Sequence, residues 1–278
     1  MKKVLLLSMG IMSLLSVAAM ADDYDINEST GDQVQMDNTY ESDYNFGGNS
    51  FGVGLGIGRY KSLYKGVGDK NYPVPLLDIQ YGDFYVKGTD IGYGVLENDN
   101  FTMSVFLNPL GGFKEKGSDL GSGYNNIDDR EYQAMFGVRM DINTPLDGMK
   151  TGIAVSAGEH GAKGRVGLYK AYEVMPKFVI VPSVHLMYYS SDFTDYYFGV
   201  DSSETYINRP GNYKLRSSYT PDAAYSYGAS LVGEYRFTDK IALTAFLGAE
   251  KYSSEITDSP IVENDVIYSV GIGAKYYF

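Results

Sequence analysis

The chain has 278 residues, with 33 Gly, 27 Tyr, no Cys and no Trp, and its 23 Lys+Arg against 35 Asp+Glu give a formal net charge of −12. Without cysteine there is no disulfide framework, thiolate metal site or thiol nucleophile. Two histidines, His160 and His185, leave no room for a multi-histidine metal site, and the acidic balance speaks against a nucleic-acid partner.

Residues 1–21 read as a secretory signal peptide. Lys2 and Lys3 precede an uncharged apolar run, and Ala19-Met20-Ala21 is a small-x-small cleavage motif, so cleavage is expected after Ala21. Residues 22–48 hold eight acidic residues and no basic one, with no apolar period, and read as an exposed N-terminal segment. A membrane-crossing helix needs on the order of 20 apolar residues, which no later stretch supplies. The remaining choice is a soluble fold or a barrel whose alternating strands average to neutral hydropathy.

From residue 49 onwards, period-2 alternation decides for the barrel. Phe51, Val53, Leu55 and Ile57 alternate with Gly52, Gly54, Gly56 and Gly58. The same two-faced pattern recurs in Phe101–Leu107, Tyr132–Asp141, Ile153–Gly158, Tyr225–Arg236, Ile241–Glu250 and Tyr268–Phe278. Twelve strands are predicted, at 50–60, 73–81, 84–88, 90–97, 100–110, 130–142, 150–158, 165–174, 178–189, 223–237, 240–252 and 266–278. The third is short and Pro73 and Pro75 interrupt the second, which leaves ten strands as the alternative. Short turns near 82–83, 97–100, 143–148, 175–177 and 238–240 alternate with longer connections near 61–72, 111–129, 159–164, 190–221 and 253–265. That is the pattern of an all-β, transmembrane, antiparallel up-and-down outer-membrane barrel spanning 49–278, with short periplasmic turns and long outer loops. Tyr and Phe at strand ends are expected to form interfacial girdles, while Gly and Ser leave the inner face uncrowded. The alternating last strand with its terminal Phe278 resembles the signal read by the barrel-assembly machinery, so that machinery, outer-membrane lipid and lipopolysaccharide are expected partners.

Several stretches resemble the MipA/OmpV family of outer-membrane proteins. They are Tyr72–Val86 after a Gly-alternating strand, Tyr196-Tyr197-Phe198-Gly199-Val200, Ser259-Pro260-Ile261-Val262-Glu263 and the closing Gly271–Phe278. The resemblance implies a scaffold with no catalytic residues, one member of the family bridging a lytic transglycosylase and a murein synthase. The alternatives are a small channel or uptake barrel and a surface adhesin.

Candidate sites are few. His185 is expected to point inwards beside Ser183 and Tyr189, as a hydrogen-bonded lumen histidine rather than half of a nucleophile–base pair. Arg139, Asp141, Glu234, Arg236, Glu250 and Lys275 fall on inward faces, and their mixed signs predict a salt-bridged, plugged or ligand-sized lumen. Asp192, Asp195, Asp201 and Glu204, with Asp128, Asp129 and Glu131, are expected to form a solvated acidic rim, Ca²⁺ binding being the alternative. Gly52–Gly58 lacks the helix and Lys-Ser/Thr of a phosphate loop. No cofactor, metal or catalytic residue is expected.

Overall fold

The computed structural model describes residues 49–146 and 148–278; the expected signal peptide and acidic segment lie outside them. The strands are β1 (Asn49–Lys61), β2 (Asp69–Tyr81), β3 (Phe84–Lys87), β4 (Asp90–Glu97), β5 (Phe101–Gly111), β6 (Gln133–Asn143), β7 (Lys150–Gly158), β8 (Gly161–Tyr169), β9 (Tyr172–Met175), β10 (Phe178–Tyr189), β11 (Ala224–Arg236), β12 (Ile241–Tyr252) and β13 (Val266–Tyr277). Each pairs antiparallel with its neighbour, and β13 returns to β1 from Gly52↔Tyr277 to Tyr60↔Ser269. β8 and β9 both pair with β10 and form one interrupted stave, so the closed ring has twelve. The interruption lies opposite Pro182, which has no N–H to give that side of the ladder.

Alternation sorts the side chains as predicted. On β12, Ala242, Thr244, Phe246 and Glu250 are buried while Leu243 and Leu247 are exposed. Leu55, Phe136 and Ile272 are 67%, 69% and 59% exposed. In water each would forgo roughly 25 cal/mol per Å² of burial; against acyl chains they lose nothing. Tyr81, Tyr93, Tyr235 and Tyr276 lie near the short-turn ends of their strands, and Tyr188, Tyr225, Tyr227 and Tyr268 near the opposite ends, as interfacial girdles require.

Three expectations need correction. The connection at 159–164 is a tight two-residue turn, since Gly158 pairs with Gly161 and the positive φ of Gly161 (99°) lets the hairpin close at Glu159-His160. β2 begins at Asp69, ahead of both prolines. The inner face is also not uncrowded. Five inward glycines, Gly52, Gly58, Gly92, Gly137 and Gly271, pair directly with Tyr277, Tyr72, Tyr85, Phe106 and Phe246. In every pair a Cβ on the glycine would collide with the partner's ring. Each glycine is therefore the seat of a ring from the adjacent strand, which buries aromatic surface and pins the register.

The prolines of β2 mark a second feature. β3 reaches only to Lys87 and the β3–β4 hairpin turns at Gly88-Thr89. Above it, among the described residues, no strand pairs with Asp69–Leu76 of β2 on that side. Leu77 O accepts from Gly88 N (2.8 Å), so the odd-numbered residues of β2 direct their backbone towards this gap. Pro73 and Pro75 therefore place ring carbons where an N–H would face the open edge. Pro109 stands on the opposite flank, in the bulge between Asn108 and Gly111. The segment after β5 crosses above, where Lys70 Nζ meets Glu115 (2.7 Å) and Asp119 (3.4 Å).

The glycine seats give a test. Gly58→Ala should destabilise the barrel by about 1–3 kcal/mol, read as an earlier loss of heat-modifiable gel mobility. In a Tyr72→Ala background the same change should cost much less, because the three atoms nearest the new Cβ all belong to Tyr72. Equal losses in both backgrounds would refute the ring-seat account.

Candidate functional site

The long connections gather at one rim and close it. After β10 the chain forms helix α1 (Ser191–Phe198), capped by Ser190, whose hydroxyl accepts from Phe193 N (3.4 Å) and Ala162 N (2.9 Å). Phe193, Thr194, Tyr197 and Phe198 form its buried stripe. Phe113, from the connection after β5, lies with its ring centroid 5.1–6.2 Å from Phe198, Tyr197, Tyr189, Phe193 and Tyr252. Leu63, Leu120, Leu215, Ile256, Ile261 and Val262 complete this core, drawn from every long loop. Thus much of the tyrosine excess is spent inside: Tyr60, Tyr64, Tyr72, Tyr189, Tyr197 and Tyr252 are all buried.

Polar bonds stitch the loops to one another. Lys65 N donates to Ile261 O (2.9 Å) and Gly121 N to Lys65 O (2.8 Å). Tyr64 Oη donates to Tyr197 O (3.0 Å) and Tyr219 Oη to Glu255 O (2.9 Å). Asn126 N donates to Asn212 Oδ1 (2.8 Å). The centre of this stitching is Glu204, which is 1% exposed. Its carboxylate accepts from Arg130 Nη2 (3.2 and 3.3 Å), Asp128 N (2.8 Å) and Asp201 N (2.9 Å). Such a buried carboxylate is tolerated because its lone pairs are taken and its charge is matched.

The expected solvated acidic rim is therefore only partly one. Glu204 is buried, Asp129 accepts from Gly117 N (2.8 Å), and Asp128 holds Arg209 through two oxygens (2.7 and 3.1 Å). Glu131 pairs with Lys114 (3.2 Å), while Asp192 is exposed in the first turn of α1. The Arg209 hydrogen bonds hold the Asp128 carboxyl below its ordinary range, whereas burial and then the nearby Asp201 push that of Asp195 up. Among the described residues no three acidic or histidine side chains gather as a cation site. The spacing of Arg130 and Arg209 gave no hint of these partners, because each pairs with an acid more than 70 positions away.

Below the lid the lumen is charged and paired. Arg139 Nη2 donates to Asp90 (2.8 Å) and its guanidinium lies over the Phe106 ring (5.0 Å). Lys275 Nζ meets Glu234 (2.5 Å) and, less closely, Asp78 (3.9 Å). Glu250 is bonded to Ser226 and lies 3.5 Å from His185 Nε2, and Asp141 accepts from Tyr169 Oη (3.4 Å). Arg236 lies over the Tyr277 ring (4.9 Å) at the short-turn mouth, more than half exposed. All six charged residues predicted to face inwards do so, and sequence reasoning missed their partners Asp90, Asp78, Ser226 and Tyr169 and the buried Lys87. Ser183 bonds to Ser230 (2.7 Å) rather than to His185, so the two form no nucleophile–base pair.

The family described as MltA-interacting protein MipA matches residues 53–278. A 24 kDa outer membrane protein of Pasteurella multocida (strain Pm70) is 32% identical over 247 residues, covering 85% of this chain and 93% of that protein. The MltA-interacting protein of Escherichia coli (strain K12) is 25% identical over 232 residues, covering 82% and 90%. Among solved structures, an outer membrane channel from Pseudomonas putida F1 aligns at a TM-score of 0.42 and 13% identity, covering 85% of this chain and 98% of that one.

The lid carries its own prediction. Glu204→Gln or Arg130→Met leaves a buried partner uncompensated and should cost about 3–5 kcal/mol of lid stability. In intact barrels this should appear as proteolysis within 112–132 and 190–223 while the strands stay protected. Because the Asp128 pKa is depressed, its contribution is complete above about pH 4. It is lost as the pH falls through the lower folded value, so lid protection should drop on acidification, less steeply in Arg209→Gln. Wild-type protection in Glu204→Gln would refute the stitching role.

Proposed function

The chain belongs to the MipA family of outer-membrane barrels, and from that premise we propose that it is a structural barrel that links murein-building and murein-cleaving enzymes to the outer membrane. The observation that carries this reading is the closed outer mouth. Four long loops are committed to a packed aromatic lid with a buried ion pair, and below it the lumen charges are paired with one another. A barrel built for flux needs an open or gated path lined by groups that bind weakly; here the interior is filled by rings and ion pairs. A relative is named for its interaction with MltA, and in this reading the short turns offer the docking face. Exposed Leu146 and Phe237 lie on those turns, at 64% and 65% exposure, with Lys177 and Asp239 nearby.

Residues 1–21 act as the export signal in this proposal, and the mature protein should begin at Asp22 by N-terminal sequencing. Crosslinking the native protein in intact envelopes and recovering it should co-purify a lytic transglycosylase or a murein synthase. Leu146→Asp with Phe237→Asp should reduce that recovery. Recovery of neither enzyme class would overturn the scaffold reading, and discrete single-channel conductance from the refolded wild-type barrel would favour a channel instead.

A further inference from the structure

The loop between α1 and β11 carries a tip, residues 205–215, closed where Tyr206 N donates to Leu215 O (2.8 Å). Three bonds fix this tip to the segment after β5. Lys214 N donates to Gly123 O (3.2 Å), Asn126 N donates to Asn212 Oδ1 (2.8 Å), and the hydroxyls of Ser122 and Tyr213 bond to each other (2.9 Å). A Cβ on Gly123 would lie 2.8 Å from Lys214 Cγ and 3.0 Å from Tyr213 Cε2. That glycine is therefore the floor on which both side chains rest.

On this floor two ammonium groups share one ring. Lys214 Nζ lies 5.2 Å from the centroid of the Tyr124 ring and 5.9 Å from that of Tyr213. Lys65 Nζ, from the loop between β1 and β2, also lies 5.2 Å from the Tyr124 centroid. Among the described residues neither Lys65 nor Lys214 forms an ion pair. By contrast Arg130, Arg209, Lys70 and Lys114 of the same rim each meet a carboxylate. The quadrupole of a ring holds a cation in place but leaves its charge uncompensated. A chain with a formal net charge of −12 thus keeps spare positive charge at one point of its outer rim.

The rings beside it are open. Tyr213 is 50% exposed and Tyr206 51%, and the face of such a ring is slightly negative and suits the C–H groups of a sugar. Ammonium groups bind phosphate oxygens through short, charge-assisted hydrogen bonds. Because the tip is already bonded to its neighbours, little ordering is left to oppose binding.

We propose that Lys65, Lys214 and the Tyr213 ring form a site for a phosphorylated sugar of the lipopolysaccharide core. The source follows from position: in an outer membrane, lipopolysaccharide of the outer leaflet surrounds the rim on which these residues stand. The short turns lie at the other end of the barrel, so this site and the murein-enzyme contact stand or fall separately.

The test uses the whole refolded barrel in zwitterionic detergent, titrated calorimetrically with the deacylated, phosphorylated core oligosaccharide of a rough-type lipopolysaccharide. Saturable binding that weakens with added salt is expected. The same oligosaccharide after phosphatase treatment should bind at least about tenfold more weakly, having lost its charge-assisted hydrogen bonds. Lys65→Gln with Lys214→Gln should cause a similar loss while the lid keeps its resistance to protease, and Lys65→Arg with Lys214→Arg should retain affinity. Tyr213→Ala should weaken binding about fivefold, the worth of one ring contact. No saturable binding, or binding indifferent to both lysines, would overturn the site. Equal affinity for the phosphatase-treated sugar would overturn the role of phosphate, and tighter binding of heparin would overturn lipopolysaccharide as the source. Loss of protease resistance in the Gln double variant with binding unchanged would make the shared ring a clasp between loops instead.

Discussion

In a bilayer no water stands ready to satisfy a backbone N–H or C=O, so every one within the hydrocarbon must find a partner inside the protein. That demand governs this molecule. It forces β13 back onto β1 and makes the ring complete. It also explains where proline is allowed. Pro182 sits where the β8–β9 stave breaks, and Pro73 and Pro75 direct their missing donors towards a stretch of wall where, among the described residues, no strand pairs with β2. A residue that looks like a strand breaker in the sequence is here the residue that lets a strand border a gap without stranding a donor.

Closure fixes where the strands run, and the rings fix how they register. Each of the five glycine–ring pairs requires a particular residue to face a particular neighbour, and a slip by one position would drive a Cβ-bearing residue into the ring and turn the apolar face inwards. The rings fill space that side chains of a ring this size must fill, and the ion pairs Arg139–Asp90 and Lys275–Glu234 occupy the rest. Each pair reaches across one intervening strand, β5 or β12, and so braces staves that are not direct neighbours, each charge being costly to expose without its partner.

Much of this was legible in the sequence, and the physical reason is locality. Period-2 alternation is written into each strand separately, so twelve staves, their facing and the inward charges can be read without knowing the fold. Arg139 and Lys275 were correctly faced for that reason. The tight turn at Glu159-His160 was hidden because His160 and its neighbours resemble loop residues, and only the glycine at 161 reveals the hairpin. The lid was not legible at all. Its partners, Arg130 with Glu204 and Phe113 with Tyr197, are joined across 74 and 84 positions by irregular chain, where no periodicity marks which residue meets which. The acids of the loops therefore read as solvated, when Glu204 among them is buried and bonded to Arg130, Asp128 N and Asp201 N.

The stitching of the lid has a consequence for how this surface can change over generations. In a barrel whose outer loops each fold back on their own hairpin, one loop can drift while the rest stay fixed. Here Lys65 bonds to Ile261, Gly121 to Lys65, and Asn126 to Asn212, so a substitution in one loop is felt by the backbone of another. Diversification under immune or phage pressure would have to proceed by matched changes in several loops, or be confined to tips such as Ile207, which is 81% exposed. The face this protein turns to its surroundings should thus be antigenically conservative, varying in small islands on an otherwise shared plate.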